Sequence, residues 1–148
     1  MNTSGLTKVD HTAIKNQFRA IFALVIAGFG IGTYSLINRL VLARTAGKFK
    51  ALEGFSPGTP AILYFTTPTC IPCKTVQRPA IQQVQRTLGD GIQVIEIDAS
   101  QRMDLAAEWG VMSVPTTFII DKDGQPRQIN HGVARAEKLM AQLKERIN

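Results

Sequence analysis

Two kinds of apolar pattern divide the chain. From Ala20 to Ile37 (AIFALVIAGFGIGTYSLI) eighteen consecutive residues carry no charge, and after Asn38 and Arg39 the apolar run resumes in Leu40-Val41-Leu42-Ala43. A stretch of this length is enough to cross the hydrocarbon core of a bilayer, which takes roughly 20 residues at 1.5 Å each. From Ala61 onward the apolar residues come instead in short runs and periodic sets separated by turn residues, as in a folded domain.

Within that second region the pattern predicts a series of elements. Ala61 to Phe65 reads as a buried strand. Past Cys73 a helix runs to about Leu88, with Val76, Ala80, Val84 and Leu88 four apart on one face. Pro79 kinks it and Gly89-Asp90-Gly91 ends it. Ile92 to Ile97 is a second strand, interrupted by Glu96. Gln101 to Trp109 is a short helix closed by Gly110, and Thr116 to Ile120 a third strand. Asp121-Lys122-Asp123-Gly124 makes a hairpin turn into a polar edge strand, Gln125 to Asn130. Arg135 to Ile147 is a final helix whose core face is Leu139, Leu143 and Ile147. Strands separated by helices predict parallel pairing through crossovers, and the hairpin adds an antiparallel edge. The expectation is a three-layer α/β/α fold with a mixed sheet, preceded by one N-terminal transmembrane helix.

The same pattern sets the domain boundaries. Residues 1–19 form a polar tail, 20–43 the transmembrane helix, 44–60 a linker and 61–148 the α/β domain. Phe49, Leu52 and Phe55 are expected to pack a short turn of the linker against the domain. Two other readings compete for the apolar segment. A cleavable signal peptide has a shorter apolar core, roughly 7–15 residues, although Val41-Leu42-Ala43 resembles a cleavage site. A buried helix of a soluble protein is disfavoured by Gly28, Gly30 and Gly32, which weaken helices in water and are common in membranes. Gly28 and Gly32 also form a GxxxG spacing, a weak signal for a transmembrane-helix dimer.

The net charge of +6 changes meaning once it is located. Residues 1–50 hold seven Lys/Arg against one acid, Asp10, while residues 51–148 hold ten of each sign. The excess flanks the apolar segment, and the α/β domain has no basic surplus with which to neutralise phosphates, so nucleic acid is not an expected partner. The charges on the two flanks nearly balance and slightly favour a cytoplasmic domain by the positive-inside rule.

The chemistry sits in Thr69-Cys70-Ile71-Pro72-Cys73-Lys74, which holds both cysteines of the chain. Cys70 falls at a strand-to-helix junction, where unpaired amides and the helix dipole favour a thiolate. A Cys-x-x-Cys pair also suits a soft ion such as Cu(I). A closed zinc site needs four ligands, and His131 is the one further strong ligand in the domain. A purely structural disulfide closing so small a loop would contribute little stability.

From residue 60 on, the chain resembles the thioredoxin-like family. Cys70-Ile71-Pro72-Cys73-Lys74 resembles the family's active-site segment, and Ile95-Glu96-Ile97-Asp98 its central strand. Val114-Pro115-Thr116 resembles its cis-proline segment, and Gly132 the glycine after its last strand. The resemblance implies a thiol–disulfide oxidoreductase whose catalytic residues are Cys70, the nucleophile, and Cys73, which resolves the mixed disulfide. Val114, Pro115, Ile71 and Pro72 would meet an extended substrate segment, with Pro115 cis. No cofactor or metal is implied beyond the redox-active Cys70–Cys73 disulfide. The implied partners are protein thiols or disulfides, an electron-donating reductase or membrane thiol transporter, and the lipid bilayer. Proline before the second cysteine resembles reducing members. Tethered members face outward, which sets the expectation of an extracytoplasmic domain against the weak charge signal.

Four departures stand out. Thr69 replaces the family's aromatic residue. Tyr64 stands where a buried acid is usual, and Val94 where its lysine partner is usual. Pro79 comes one residue late. Tyr64 is read as packing, since a phenol titrates near about 10. Glu96, two residues from Val94 on the same strand face, is the candidate proton-transfer group.

Overall fold

The computed structural model describes residues 11–45 and 54–147, and the chain divides into two compact units between Ile37 and Asn38. Phe49 and Leu52 lie outside the described residues, as does the side chain of Ile147.

Helix α1 spans His11–Thr45, so the helix begins within the segment expected to be a polar tail. Between His11 and Arg19 neither glycine nor proline interrupts it. Lys15–Thr45 is long and apolar enough to cross a membrane, with a mean hydropathy of 2.0 in its most apolar window. From Phe18 to Ile37 its large apolar side chains are exposed, Phe29 by 78% and Leu24 by 72%.

The second unit holds the sheet: strands β1 (Ala61–Thr66), β2 (Gln93–Asp98), β3 (Thr116–Ile120) and β4 (Pro126–His131), in the order β2-β1-β3-β4. Helices α2 (Arg78–Leu88), α3 (Met103–Glu108) and α4 (Ala136–Ile147) complete it. Strands β1 and β2 pair in parallel, in register from Ala61 with Gln93 to Thr66 with Asp98. Strand β3 runs antiparallel to β1, and β4 antiparallel to β3. The parallel crossover expected between the second and third strands is therefore absent, although the sheet is mixed. The reason is length. Helix α3 has six residues, about 9 Å of helix, against about 20 Å for a six-residue strand. The chain does not travel back along the sheet, and β3 starts at the end where β2 finished.

Alternate strand residues build two cores. On one face Ile62, Tyr64 and Ile119 pack with Cys73, Ile81, Val84, Leu139 and Leu143, joining the sheet to α2 and α4. On the other, Leu63, Phe65, Phe118 and Ile120 pack with Leu105 and Trp109 of the α3 segment. There the Trp109 and Phe118 rings meet edge to face at 5.0 Å. Val41, Leu42 and Phe55 join this second core, and Thr45 is buried. The end of the segment expected to be transmembrane, at Val41 and Leu42, and Thr45 at the start of the expected linker are thus part of the domain's packing.

The hairpin between β3 and β4 turns at Gly124, with φ at +76°. Asp121 is its hub, accepting from the Asp123 and Gln125 amides and from Arg127 Nε at 2.6 Å. Burial pushes the Asp121 carboxyl up, but the Gln125 amide and the Arg127 guanidinium outweigh it and hold the group below its ordinary range.

Candidate active site

Beyond Thr66 the chain turns so that the Cys70 amide donates to the Thr67 carbonyl at 3.2 Å. A helix begins at the next residue, and the Lys74 amide donates back to the Cys70 carbonyl at 3.3 Å. The first amides of a helix have no partner within it. Here the Cys73 amide points at Cys70 Sγ, 3.2 Å away. That contact and the helix dipole favour negative charge on this sulfur. The two sulfurs are bonded at 2.02 Å, with the Cα atoms 5.3 Å apart. Cys70 is half-buried and Cys73 is 1% exposed. Ile71 and Pro72 are both exposed at the rim.

The Val114–Pro115 peptide bond is cis, and the Pro115 carbonyl accepts from the Gly132 amide at 2.8 Å. Val114 packs against both cores, including the one that holds Cys73. Beside it, between α3 and the loop leading into β3, lies an open groove of about 360 Å³. Met103, Ala106, Val111, Met112 and Val114 line it. Met112 is 95% exposed. The two methionines were not singled out by sequence, since nothing in the pattern around them distinguishes a groove wall from ordinary surface.

The residues behind Cys73 differ from the sequence expectation. The turn Cys73–Gln77 is a wide π turn, in which the Arg78 amide reaches the Cys73 carbonyl. One extra residue in the turn rotates the rest of the helix by roughly 100°. Val76, expected in the core, is exposed, and Gln77 is fully buried in its place. Gln77 Nε2 donates to the Ala134 carbonyl at 3.1 Å, and its Oε1 accepts from the Ala134 amide at 2.7 Å. The late proline, Pro79, was the one available signal for this shift, because it marks one extra residue after Cys73.

Tyr64 is buried beneath the redox pair, and its hydroxyl donates to the Cys73 carbonyl at 3.3 Å. It makes a polar contact as well as packing. Burial raises its pKa above the ordinary phenol value, with nearby Glu96 adding to the rise and Thr66 and Arg78 opposing it. Glu96 lies across from Tyr64 in the β1–β2 ladder, half-exposed and ion-paired to Arg78. Among the described residues no three His, Cys, Asp or Glu side chains are grouped to hold a metal ion. His131 faces Asn38 Oδ1 at 3.3 Å.

A disulfide-forming pair at a helix start, on a mixed sheet with a cis-proline before β3, defines a thiol–disulfide exchange site of the thioredoxin fold. The family comparison agrees: the thioredoxin family model matches residues 46–145, and the chain belongs to that family. It is 32% identical over 75 residues to a thioredoxin of Bacillus subtilis, covering 51% of this chain and 70% of that protein. To the chloroplastic thioredoxin Y of Oryza sativa it is 34% identical over 84 residues, 57% of this chain and 49% of that longer protein. Among solved structures, chloroplastic thioredoxin z superposes with a TM-score of 0.58 at 26% identity, covering 68% of this chain and 88% of that one. The family's members act on thiols and disulfides of proteins, and the Cys70–Cys73 pair is placed for that chemistry.

Proposed function

We propose that the chain is a membrane-tethered thiol–disulfide oxidoreductase that reduces disulfides of client proteins. The observation that carries the reading is the Cys73 amide directed at Cys70 Sγ at the start of a helix. It makes Cys70 the better thiolate and hence the attacking sulfur.

In the reduced protein the Cys70 thiolate attacks one sulfur of a client disulfide. A bond forms between Cys70 Sγ and that sulfur, the client's own S–S bond breaks, and the second client sulfur leaves as a thiolate and takes a proton. Cys73 then loses its proton and attacks Cys70 Sγ. The bond to the client breaks, and the client's other thiol leaves. Two electrons and two protons pass to the client, and the protein is left with the Cys70–Cys73 disulfide. The backbone at Val114, presented by cis-Pro115, pairs with an extended client segment, while Ile71 and Pro72 give it an apolar rim. Glu96 is an auxiliary proton acceptor at the edge of the site, where it is ion-paired to Arg78.

Helix α1 is the tether, its apolar surface matched to lipid, and the domain faces out of the cytoplasm. An electron-donating reductase or a membrane thiol transporter restores the dithiol. The test is the reduction potential of the full chain in detergent, read by equilibration with dithiothreitol and alkylation. A value near about −270 mV is expected of a reductant, and one above roughly −180 mV overturns that direction. Labelling of Cys70 in intact cells by a membrane-impermeant maleimide checks the outward face.

A further inference from the structure

The group that usually attends the second cysteine from below is here a phenol, and its single donated hydrogen bond is already committed. Tyr64 rises from the middle of β1, is 1% exposed, and donates a hydrogen bond from its hydroxyl to the Cys73 carbonyl at 3.3 Å. That carbonyl also accepts the Arg78 amide, which makes it the first anchor of the π turn. Gln77, at the far end of the turn, is pinned to both backbone groups of Ala134. The turn that carries the resolving sulfur is therefore held at its start by the sheet and at its end by the segment before α4. Thr66, two residues along the same strand face as Tyr64, brings a second buried hydroxyl.

Resting on the oxidoreductase reading, we propose that Tyr64 is a positioning residue for Cys73: it holds the Cys73 carbonyl, and so aims Cys73 Sγ at Cys70 in the resolving step. The first step, attack by Cys70, draws on the amide of Cys73 and on the helix start, neither of which involves the phenol. The two half-reactions are therefore separable. The groups that face the phenol and could also shift the pH dependence are Glu96 on β2, Arg78 on α2 and Thr66 on its own strand. Glu96 and Arg78 are paired with each other, and their fields act in opposite directions at the hydroxyl.

The experiment uses the full chain, reduced, in detergent, mixed with dithiobis(nitrobenzoate). Attack by Cys70 releases one thionitrobenzoate and leaves the other on Cys70. Attack by Cys73 then releases the second. Tyr64→Phe keeps the ring and removes the hydroxyl. The expected result is an unchanged first phase and a second phase slowed by about three- to tenfold, the range that one lost hydrogen bond gives. An unchanged second phase, or equal slowing of both, overturns the positioning role. A second measurement avoids the variant's folding. With Tyr34→Phe, Tyr64 is the last tyrosine of the chain. Replacing it with a ring-fluorinated tyrosine lowers the pH at which the phenol ionises and stops donating, so the second phase is expected to lose rate from a lower pH than in the parent. A profile that stays put also overturns the proposal. Wild-type protein that releases chromophore only once defeats the oxidoreductase reading itself, an outcome distinct from a Tyr64→Phe protein with both phases intact.

Discussion

The two faces of the sheet are made from alternate residues of the same strands, yet they hold together by different means. The face toward α2 and α4 mixes aliphatic packing with buried polar contacts: Tyr64 on the Cys73 carbonyl, Gln77 on Ala134, Asn130 paired with Gln142. The face toward α3 is packed by the rings of Phe65, Trp109 and Phe118. The redox pair belongs to the first. A hydrogen bond fixes direction as well as distance, which is what an attacking sulfur requires. Ring packing fixes volume, which is what a rigid support requires. In this fold placement of the chemistry and stiffness of the scaffold fall to opposite faces.

The sharpest way to test that division is to remove the chemistry. Cys70→Ser is expected to abolish exchange with a disulfide substrate, while Cys73→Ser retains the first step and accumulates a stable mixed disulfide, visible on a non-reducing gel. Neither should lower the denaturant midpoint much, since the loop that the bond closes is so short. The complementary change is Phe118→Ala on the other face. It should destabilise the domain by about 3–5 kcal/mol in denaturant unfolding, through the cavity left against Trp109 and Phe65, while the folded fraction keeps its exchange rate. A large loss of exchange per folded molecule would mean that the faces are not independent.

Smaller effects lie where neither face decides. At the β3–β4 hairpin the Asp121 carboxyl titrates below its unfolded value. Its contribution to stability is present above the ordinary carboxylate pKa of about 3.9 and is lost as pH falls through the lower folded value. Unfolding free energy followed from about pH 5 downward should fall less steeply in Asp121→Asn than in the parent. The exposed carboxyls of Asp98 and Asp104 are lowered too, the first mainly by Ser100 and the second by Arg102, and remain as background in both proteins. The smallest change is expected for Glu96→Gln, less than about threefold in exchange rate, because its carboxylate is largely in solvent and paired to Arg78 rather than set against the sulfurs. A tenfold loss would move Glu96 to the centre of the proton transfer.

How far each feature was legible depends on the range of the forces behind it. The strand Ala61–Thr66 was visible because apolar continuity in a short run is a local property. So was the hairpin, whose glycine answers to a local backbone need. The exchange of Val76 for Gln77 was not, since reading a helix face assumes a constant 3.6-residue period, and the π turn breaks it. The antiparallel course of β3 was missed for a related reason. Alternating strands and helices say which elements exist, and only the short reach of α3 says which way the next strand returns.

By itself, then, the sequence determined the element order, the apolar helix, and the placing of Cys70 and Cys73 between a buried strand and a helix, since these arise from patterning and turn chemistry within a few residues. The tertiary structure alone decided what lies behind the sulfurs: a phenol on the Cys73 carbonyl, an amide side chain clasping a loop 57 residues away, and the end of α1 packed into the second core. Each of those depends on segments far apart in the chain meeting at hydrogen-bond or van der Waals distance, and no local pattern encodes such a meeting.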